Sequence, residues 1–117
     1  MPGLRQRVMD ENRLSEGRAV KFRYREEGVA REGVVLLWQG RLMAYENCCR
    51  HLPLPLDGGT GQFLTPDGQR LICHMHGAEY EPLTGRCVHG PCAGASLKPL
   101  AVVLDEGAVW LVSPAET

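Results

Sequence analysis

Between Asn47 and Ser96 the chain carries two knots of cysteine and histidine, Cys48-Cys49-Arg50-His51 and Cys73-His74-Met75-His76-Gly77, with 21 residues between His51 and Cys73. The stretch around them is dense in Gly and Pro. Only Gln69 to Cys73 reads there as a strand, entered through the turn Pro66-Asp67-Gly68. A long irregular segment is uncommon inside a small domain unless something ties it down. A bound metal would do so. Read as C-x-H and C-x-x-H, each knot offers one soft thiolate and one imidazole on a loop short enough to aim both at one point.

Two metal readings fit such a Cys2His2 set. One is a tetrahedral structural zinc. The other is a 2Fe–2S centre in which two Cys hold one iron and two His hold the other. Ligand identity alone does not separate them. Zinc fingers usually keep like ligands together, as C-x2–4-C with H-x3–5-H. Here each knot mixes one Cys with one His, which suits a two-iron centre if each loop is to reach both metals.

The rest of the chain sets the frame. Its 117 residues are enough for one domain and too few for two ordinary ones, and an apolar fraction of 44% allows one modest core. A net charge of −1 gives no basic balance for nucleic acid. The longest apolar run, Val34 to Trp38, falls far short of a membrane span. Residues 1–16 show no apolar stretch of the kind a secretory signal needs, so a cytoplasmic location is expected. Five cysteines, clustered with histidines, point to metal before disulfides in that setting.

Residues 1–16 read as a flexible or weakly helical lead-in, 17–113 as a single domain and 114–117 as a tail. Within the domain, Val20, Phe22 and Tyr24 alternate with Lys21, Arg23 and Arg25, the period of a half-buried strand. Val34 to Gln39 and Arg41 to Tyr45 form two further strands about a turn at Gly40. Leu100 to Leu104 and Ala108 to Val112 make a hairpin about Asp105-Glu106-Gly107. The fold class is all-β.

Cys49-Arg50-His51, then Cys73-His74-Met75-His76-Gly77-Ala78-Glu79-Tyr80-Glu81 and Thr84-Gly85, resemble the Rieske ferredoxin family. Asn47, Gly90-Pro91 and Leu97 are also similar, and the likeness runs from about Glu16 to Ser113. The resemblance implies a fold of three small antiparallel sheets with two cluster-binding loops at the tip. It implies one Rieske-type 2Fe–2S cluster, with Cys49 and Cys73 on an inner iron and His51 and His76 on an outer one. Leu52, Ala78, Tyr80 and the proline loop at Gly90 and Pro91 would surround it. The second cysteine pair of respiratory Rieske proteins has no counterpart: Leu52, Pro53, His74 and Met75 occupy those neighbourhoods. Ala78 stands where those proteins have a serine hydroxyl aimed at the cluster, whereas Tyr80 keeps their tyrosine. Hydrogen bonds to sulfur raise the potential, so one lost and one kept implies the lower part of a range of roughly −150 to +300 mV.

Several residues carry competing readings. Cys48-x-x-His51 is also a ligand spacing, but the resemblance favours Cys49 and leaves Cys48 a buried neighbour. His74 reads as a loop side chain near the cluster mouth and His89 as a surface residue. Cys87 and Cys92, bracketing His89-Gly90-Pro91, could be a disulfide, a second metal site or packed thiols, and packed thiols are favoured. Lys21, Arg23 and Arg25 read as a solvated strand face rather than a docking patch. Gly58-Gly59-Thr60-Gly61 lacks the Lys-Ser/Thr of a phosphate loop and reads as a turn. Asp57 and Glu79 are expected to hydrogen-bond backbone rather than act as acid or base.

The implied function is electron transfer rather than catalysis. A Rieske ferredoxin would accept electrons from a flavoprotein reductase and pass them to an acceptor oxidoreductase, such as a terminal oxygenase. With about 40 residues after His76, neither an oxygenase's mononuclear-iron domain nor the respiratory membrane anchor is expected. The alternatives are a small Rieske subunit held permanently by a larger oxidoreductase and a zinc-stabilised binding module.

Overall fold

The structure, a computed structural model, describes residues 5–49, 54–74, 77–92 and 94–112. His51, Leu52 and His76, with the tail 114–117, lie outside the described residues. The strands are β1 (Arg5–Asp10), β2 (Arg18–Glu26), β3 (Val29–Trp38), β4 (Arg41–Glu46), β5 (Leu71–Ile72), β6 (Glu79–Tyr80), β7 (Cys87–His89), β8 (Val102–Asp105) and β9 (Ala108–Val112). They form three antiparallel three-stranded sheets of order β1-β9-β8, β2-β3-β4 and β5-β6-β7. The all-β fold of small antiparallel sheets is as the sequence implies. No helix among the described residues is long and apolar enough to cross a membrane.

Strand β3 is the centre of the packing. Val34, Val35 and Leu36 are wholly buried, so the unbroken apolar run is a strand covered on both faces. Val34, Leu36 and Trp38 join a core with Tyr45, Leu56, Leu71, Tyr80 and Leu97. Val35 faces the other way, into a core with Val20, Phe22, Ala44, Val109 and Leu111. One strand therefore holds the first sheet on one side and the loop-bearing third sheet on the other.

Three hairpins close through two-residue turns whose central residues both have positive φ: Glu27-Gly28, Gln39-Gly40 and Glu106-Gly107. Such turns match the right-handed twist of the flanking strands, and Gly enters the second position without steric cost. Tyr45, at the end of β4, donates from its hydroxyl to the Pro82 carbonyl at 2.7 Å, tying the middle sheet to the third. Burial holds that phenol up at about 12, so it stays neutral and a donor.

The lead-in expected over residues 1–16 is corrected in part. Arg5–Asp10 is a strand, β1, paired along β9. Met9 is its one fully buried residue, Val8 beside it packs half-buried against the same core, and Arg5, Arg7 and Asp10 are exposed, so no alternating apolar period reports the strand. Its ladder, the Arg5 guanidinium 4.6 Å over the Trp110 ring, and an Arg5–Asp105 ion pair at 2.9 Å hold it instead.

Gly33 pairs with Phe22 across β2 and β3, and the Phe22 ring occupies the space above it. A Cβ at Gly33 would lie 2.5 Å from the Phe22 ring carbon Cζ and 3.0 Å from Leu100 Cδ1. Gly33→Ala should therefore destabilise by about 1–3 kcal/mol through overpacking. Thermal unfolding of the two proteins checks this, and an unchanged Tm would contradict it.

Candidate metal centre

Both cysteine knots lead off short strands and turn inward at their cysteine. The first follows β4. The Asn47 N–H donates to the Glu32 carbonyl at 2.9 Å, and the Cys49 N–H donates to the Leu54 carbonyl at 2.8 Å. The second follows β5. The Cys73 N–H donates to the Ala78 carbonyl and the Gly77 N–H to the Cys73 carbonyl, both at 2.8 Å. The His74 N–H reaches the Leu56 carbonyl at 3.0 Å, and this bond joins the two loops.

Cys49 and Cys73 are both buried and belong to one core with Leu56, Ala78, Tyr80, Cys87 and Cys92. The Tyr80 hydroxyl is 3.5 Å from Cys49 Sγ. It is also 2.9 Å from Cys92 Sγ, a contact that nothing in the local sequence announces. Cys48 is half-buried rather than buried, a correction to the sequence reading, with its Sγ 3.8 Å from the Cys49 carbonyl.

Ala78 is fully buried beneath the loop of Gly90 and Pro91. A Cβ on Gly90 would come within 2.8 Å of Ala78 Cα, and Gly90 has φ +99°, so only glycine lets the loop lie this close. Gly90 and Pro91 are exposed on their outer side. His74 and His89 are exposed, and His74 Nε2–H donates to the Gln62 carbonyl at 2.8 Å. Among the described residues no three Cys, His, Asp or Glu side chains converge as a metal site, so Cys87, Cys92 and His89 do not form one.

The first loop is fixed by a buried carboxylate. Asp57 has no solvent exposure. Its Oδ2 meets Lys21 Nζ at 3.0 Å and accepts from the Gly61 N–H at 3.0 Å, and its Oδ1 accepts from Asn47 Nδ2 at 3.3 Å. Asn47 Oδ1 in turn accepts from the Leu56 N–H at 2.8 Å. Lys21 is therefore not part of a plain solvated face, which corrects that reading. Residues 58–61 form the expected turn, and it wraps this carboxylate. Glu79 pairs with the Arg70 guanidinium at 3.4 Å instead of bonding backbone. Burial pushes the Asp57 carboxyl up, but Lys21, the Gly59 and Gly61 N–H groups and Asn47 together hold it below the usual value.

The donor set fits an iron–sulfur centre. Two buried thiols on adjoining loops, with a tyrosine hydroxyl beside one of them, are of the kind that could supply sulfur ligands to such a centre. The sequence matches the Rieske [2Fe-2S] domain over residues 5–106, most of its length, and the chain belongs to that family. Its cofactor is a Rieske-type 2Fe–2S cluster, which removes the zinc alternative. No curated protein matches the sequence.

Solved structures share the fold. The ferredoxin of carbazole 1,9a-dioxygenase from Nocardioides aromaticivorans IC177 is 23% identical with TM-score 0.68, covering 98% of this chain and 100% of that one. Sphingomonas yanoikuyae B1 ferredoxin is 24% identical with TM-score 0.71, covering 95% and 100%. The terminal oxygenase of carbazole 1,9a-dioxygenase from Novosphingobium sp. KA1 is 18% identical with TM-score 0.76. That match covers 99% of this chain but 31% of the oxygenase chain.

Because the folded-state value of Asp57 is lowered, its contribution to stability is present above the ordinary carboxylate range and is lost as pH falls through the folded value. Asp57→Ala should cost on the order of 3 kcal/mol at neutral pH, by loss of a buried ion pair and its hydrogen bonds. The difference should shrink on acidification below about pH 4. Urea unfolding at pH 7 and pH 3 measures both, and an equal gap at the two values would contradict the assignment.

Proposed function

We propose that this protein is a one-electron carrier, a Rieske ferredoxin that takes electrons from a flavoprotein reductase and passes them to a partner enzyme such as a terminal oxygenase. The observation that carries the reading is the pair of buried thiols, Cys49 and Cys73, on two loops bonded to each other, with the Tyr80 hydroxyl 3.5 Å from Cys49 Sγ. In this reading Cys49 and Cys73 hold the inner iron and His51 and His76 hold the outer one. Leu52, Ala78, Tyr80, Gly90 and Pro91 form the surrounding shell. The bound cluster supplies one-electron redox chemistry and nothing else is asked of it.

The protein's own residues do the rest. Cys49 and Cys73 bring thiolate into a water-poor core. Tyr80 donates to a sulfur and stabilises the extra negative charge of the reduced state. A cavity of about 660 Å³ is lined by Tyr24, Arg25, Lys98, Leu100 and Leu111 and does not include the thiols, so the centre faces no substrate chamber there. An oxygenase acceptor is supported by the similar fold of a dioxygenase ferredoxin. A flavoprotein donor is supported by chemistry: nicotinamide delivers electrons as a pair, and a flavin can release them singly to a one-electron centre. We place the carrier in the cytoplasm, in keeping with cysteines committed to metal.

An EPR spectrum of the dithionite-reduced protein should show a Rieske signal. Cys49→Ser should abolish it and Cys48→Ser should retain it. The converse would move the ligand assignment by one residue. Stoichiometric reduction by a flavoprotein reductase, followed by reoxidation by an oxygenase, tests the carrier role. Isolation from its host only as part of a large complex would show a permanent subunit instead.

Tyr80→Phe should keep the cluster and lower its potential. A hydrogen bond worth about 1.4 kcal/mol is a tenfold change in the reduction equilibrium, or about 59 mV for one electron. Spectroelectrochemical titration of both proteins reads this, and an unchanged potential would remove Tyr80 from the sulfur shell.

A further inference from the structure

Cys87 and Cys92 face each other across the base of the loop that covers Ala78. Their sulfurs are 3.2 Å apart, and both are buried. The backbone holds them opposite: the Cys87 N–H donates to the Ala95 carbonyl at 2.8 Å, the Gly94 N–H to the Cys87 carbonyl at 3.2 Å, and the Ala95 N–H to the Cys92 carbonyl at 2.9 Å. Between them runs Val88-His89-Gly90-Pro91, whose Gly90 rests on the Ala78 backbone.

The thiols are also wired to the site. A cluster-bound Cys49 sulfur can only accept, so Tyr80 spends its single O–H on it. The Tyr80 oxygen, 2.9 Å from Cys92 Sγ, then accepts from the Cys92 S–H. The Cys87 S–H points to the His89 carbonyl at 3.4 Å. The Cys92 S–H also has Cys87 Sγ within reach at 3.2 Å, the Tyr80 oxygen being the nearer acceptor, and hydrogen bonds in series strengthen one another.

We propose that Cys87 and Cys92 are a reversible dithiol–disulfide pair that sets the potential of the cluster through Tyr80. This rests on the cluster reading given above. The oxidant is a small-molecule disulfide. Cys92, at 9% exposure against 2% for Cys87, attacks it as thiolate; the reagent's S–S bond breaks and one thiol leaves. Cys87 then displaces the second half of the reagent from Cys92. The products are a Cys87–Cys92 bond and two reagent thiols, which carry away the two protons and two electrons. Burial pushes the Cys87 thiol up to about 11, which suits it to the second, intramolecular step rather than the first.

Oxidation removes the S–H that supported Tyr80. The Cys92 sulfur becomes a weak acceptor competing for the same O–H, so the bond to Cys49 weakens and the oxidised cluster is favoured. The disulfide also staples the base of the loop over Ala78.

The test uses the purified, iron-loaded protein, whose EPR signal is recorded first. It is equilibrated in buffers of reduced and oxidised glutathione, alkylated and mapped by mass spectrometry, and its cluster potential is titrated in each state. We expect a Cys87–Cys92 cross-link to form and reverse. With it, the reduction equilibrium should become about threefold less favourable, about 28 mV at 59 mV per tenfold. In Tyr80→Phe the cross-link should still form while the potential no longer responds. Cys87→Ser and Cys92→Ser should show neither.

No cross-link in a protein that gives the EPR signal overturns the inference and leaves the carrier reading standing. A cross-link that leaves the wild-type potential fixed, or shifts Tyr80→Phe equally, overturns the coupling. A missing EPR signal overturns the cluster reading and the tuning with it.

Discussion

Asp57 is a carboxylate kept ionised where water does not reach. Its charge is balanced by Lys21 on β2, by the Gly59 and Gly61 N–H groups and by the Asn47 side-chain amide. These partners come from three separate stretches of chain, so the ionised carboxylate exists only when the middle sheet, the start of the first cysteine loop and its return segment are all in place. Removing one partner leaves buried charge uncompensated, which costs more than the pair itself contributes. The arrangement is therefore close to all-or-none.

Sequence reasoning reached this site by its chemistry and missed its support. The mixed Cys/His knots are legible because thiolate and imidazole at such spacing have few other uses. Strands β2, β3 and β4 are legible because alternation or unbroken apolarity marks their burial. Strands of two or three residues, such as β6 and β7, leave no period to read. The mostly polar strand β1 is invisible for a different reason, since the two residues it gives to the core, Val8 and Met9, are adjacent and show no alternation. The Lys21–Asp57 pair spans 36 residues and the Tyr80–Cys92 contact spans 12, and neither separation has a local signature. The resemblance supplied Tyr80 and the proline loop as site residues, whereas Cys92 as the second partner of Tyr80 came only from tertiary packing. The positions of His51, Leu52 and His76 fall outside the described residues.

The shortness of the third sheet is itself part of the site. In β6, Glu79 and Tyr80 point to opposite faces, as adjacent strand residues must. Glu79 turns out to Arg70, and Tyr80 turns in to the sulfurs. Tyr80 pairs with Leu71 on β5, two residues before Cys73, and with Cys87 on β7. The phenol is thus placed from both sides by the strands that lead to thiols.

A slip of one residue in β6 would exchange the two faces and put a carboxylate among thiolates, where it would oppose a negatively charged cluster. The ladder resists this through an irregularity rather than through length. Between β6 and β7 the register passes from Tyr80–Cys87 to Glu79–His89, leaving Val88 as an extra residue. Such a bulge sharpens the local twist and re-aims the side chains that flank it. Here it sends Val88 outward, keeps Cys87 facing Cys92, and turns the chain so that Gly90 comes down on Ala78. One unpaired residue in a three-residue strand thereby decides both which thiols meet and which loop covers the site.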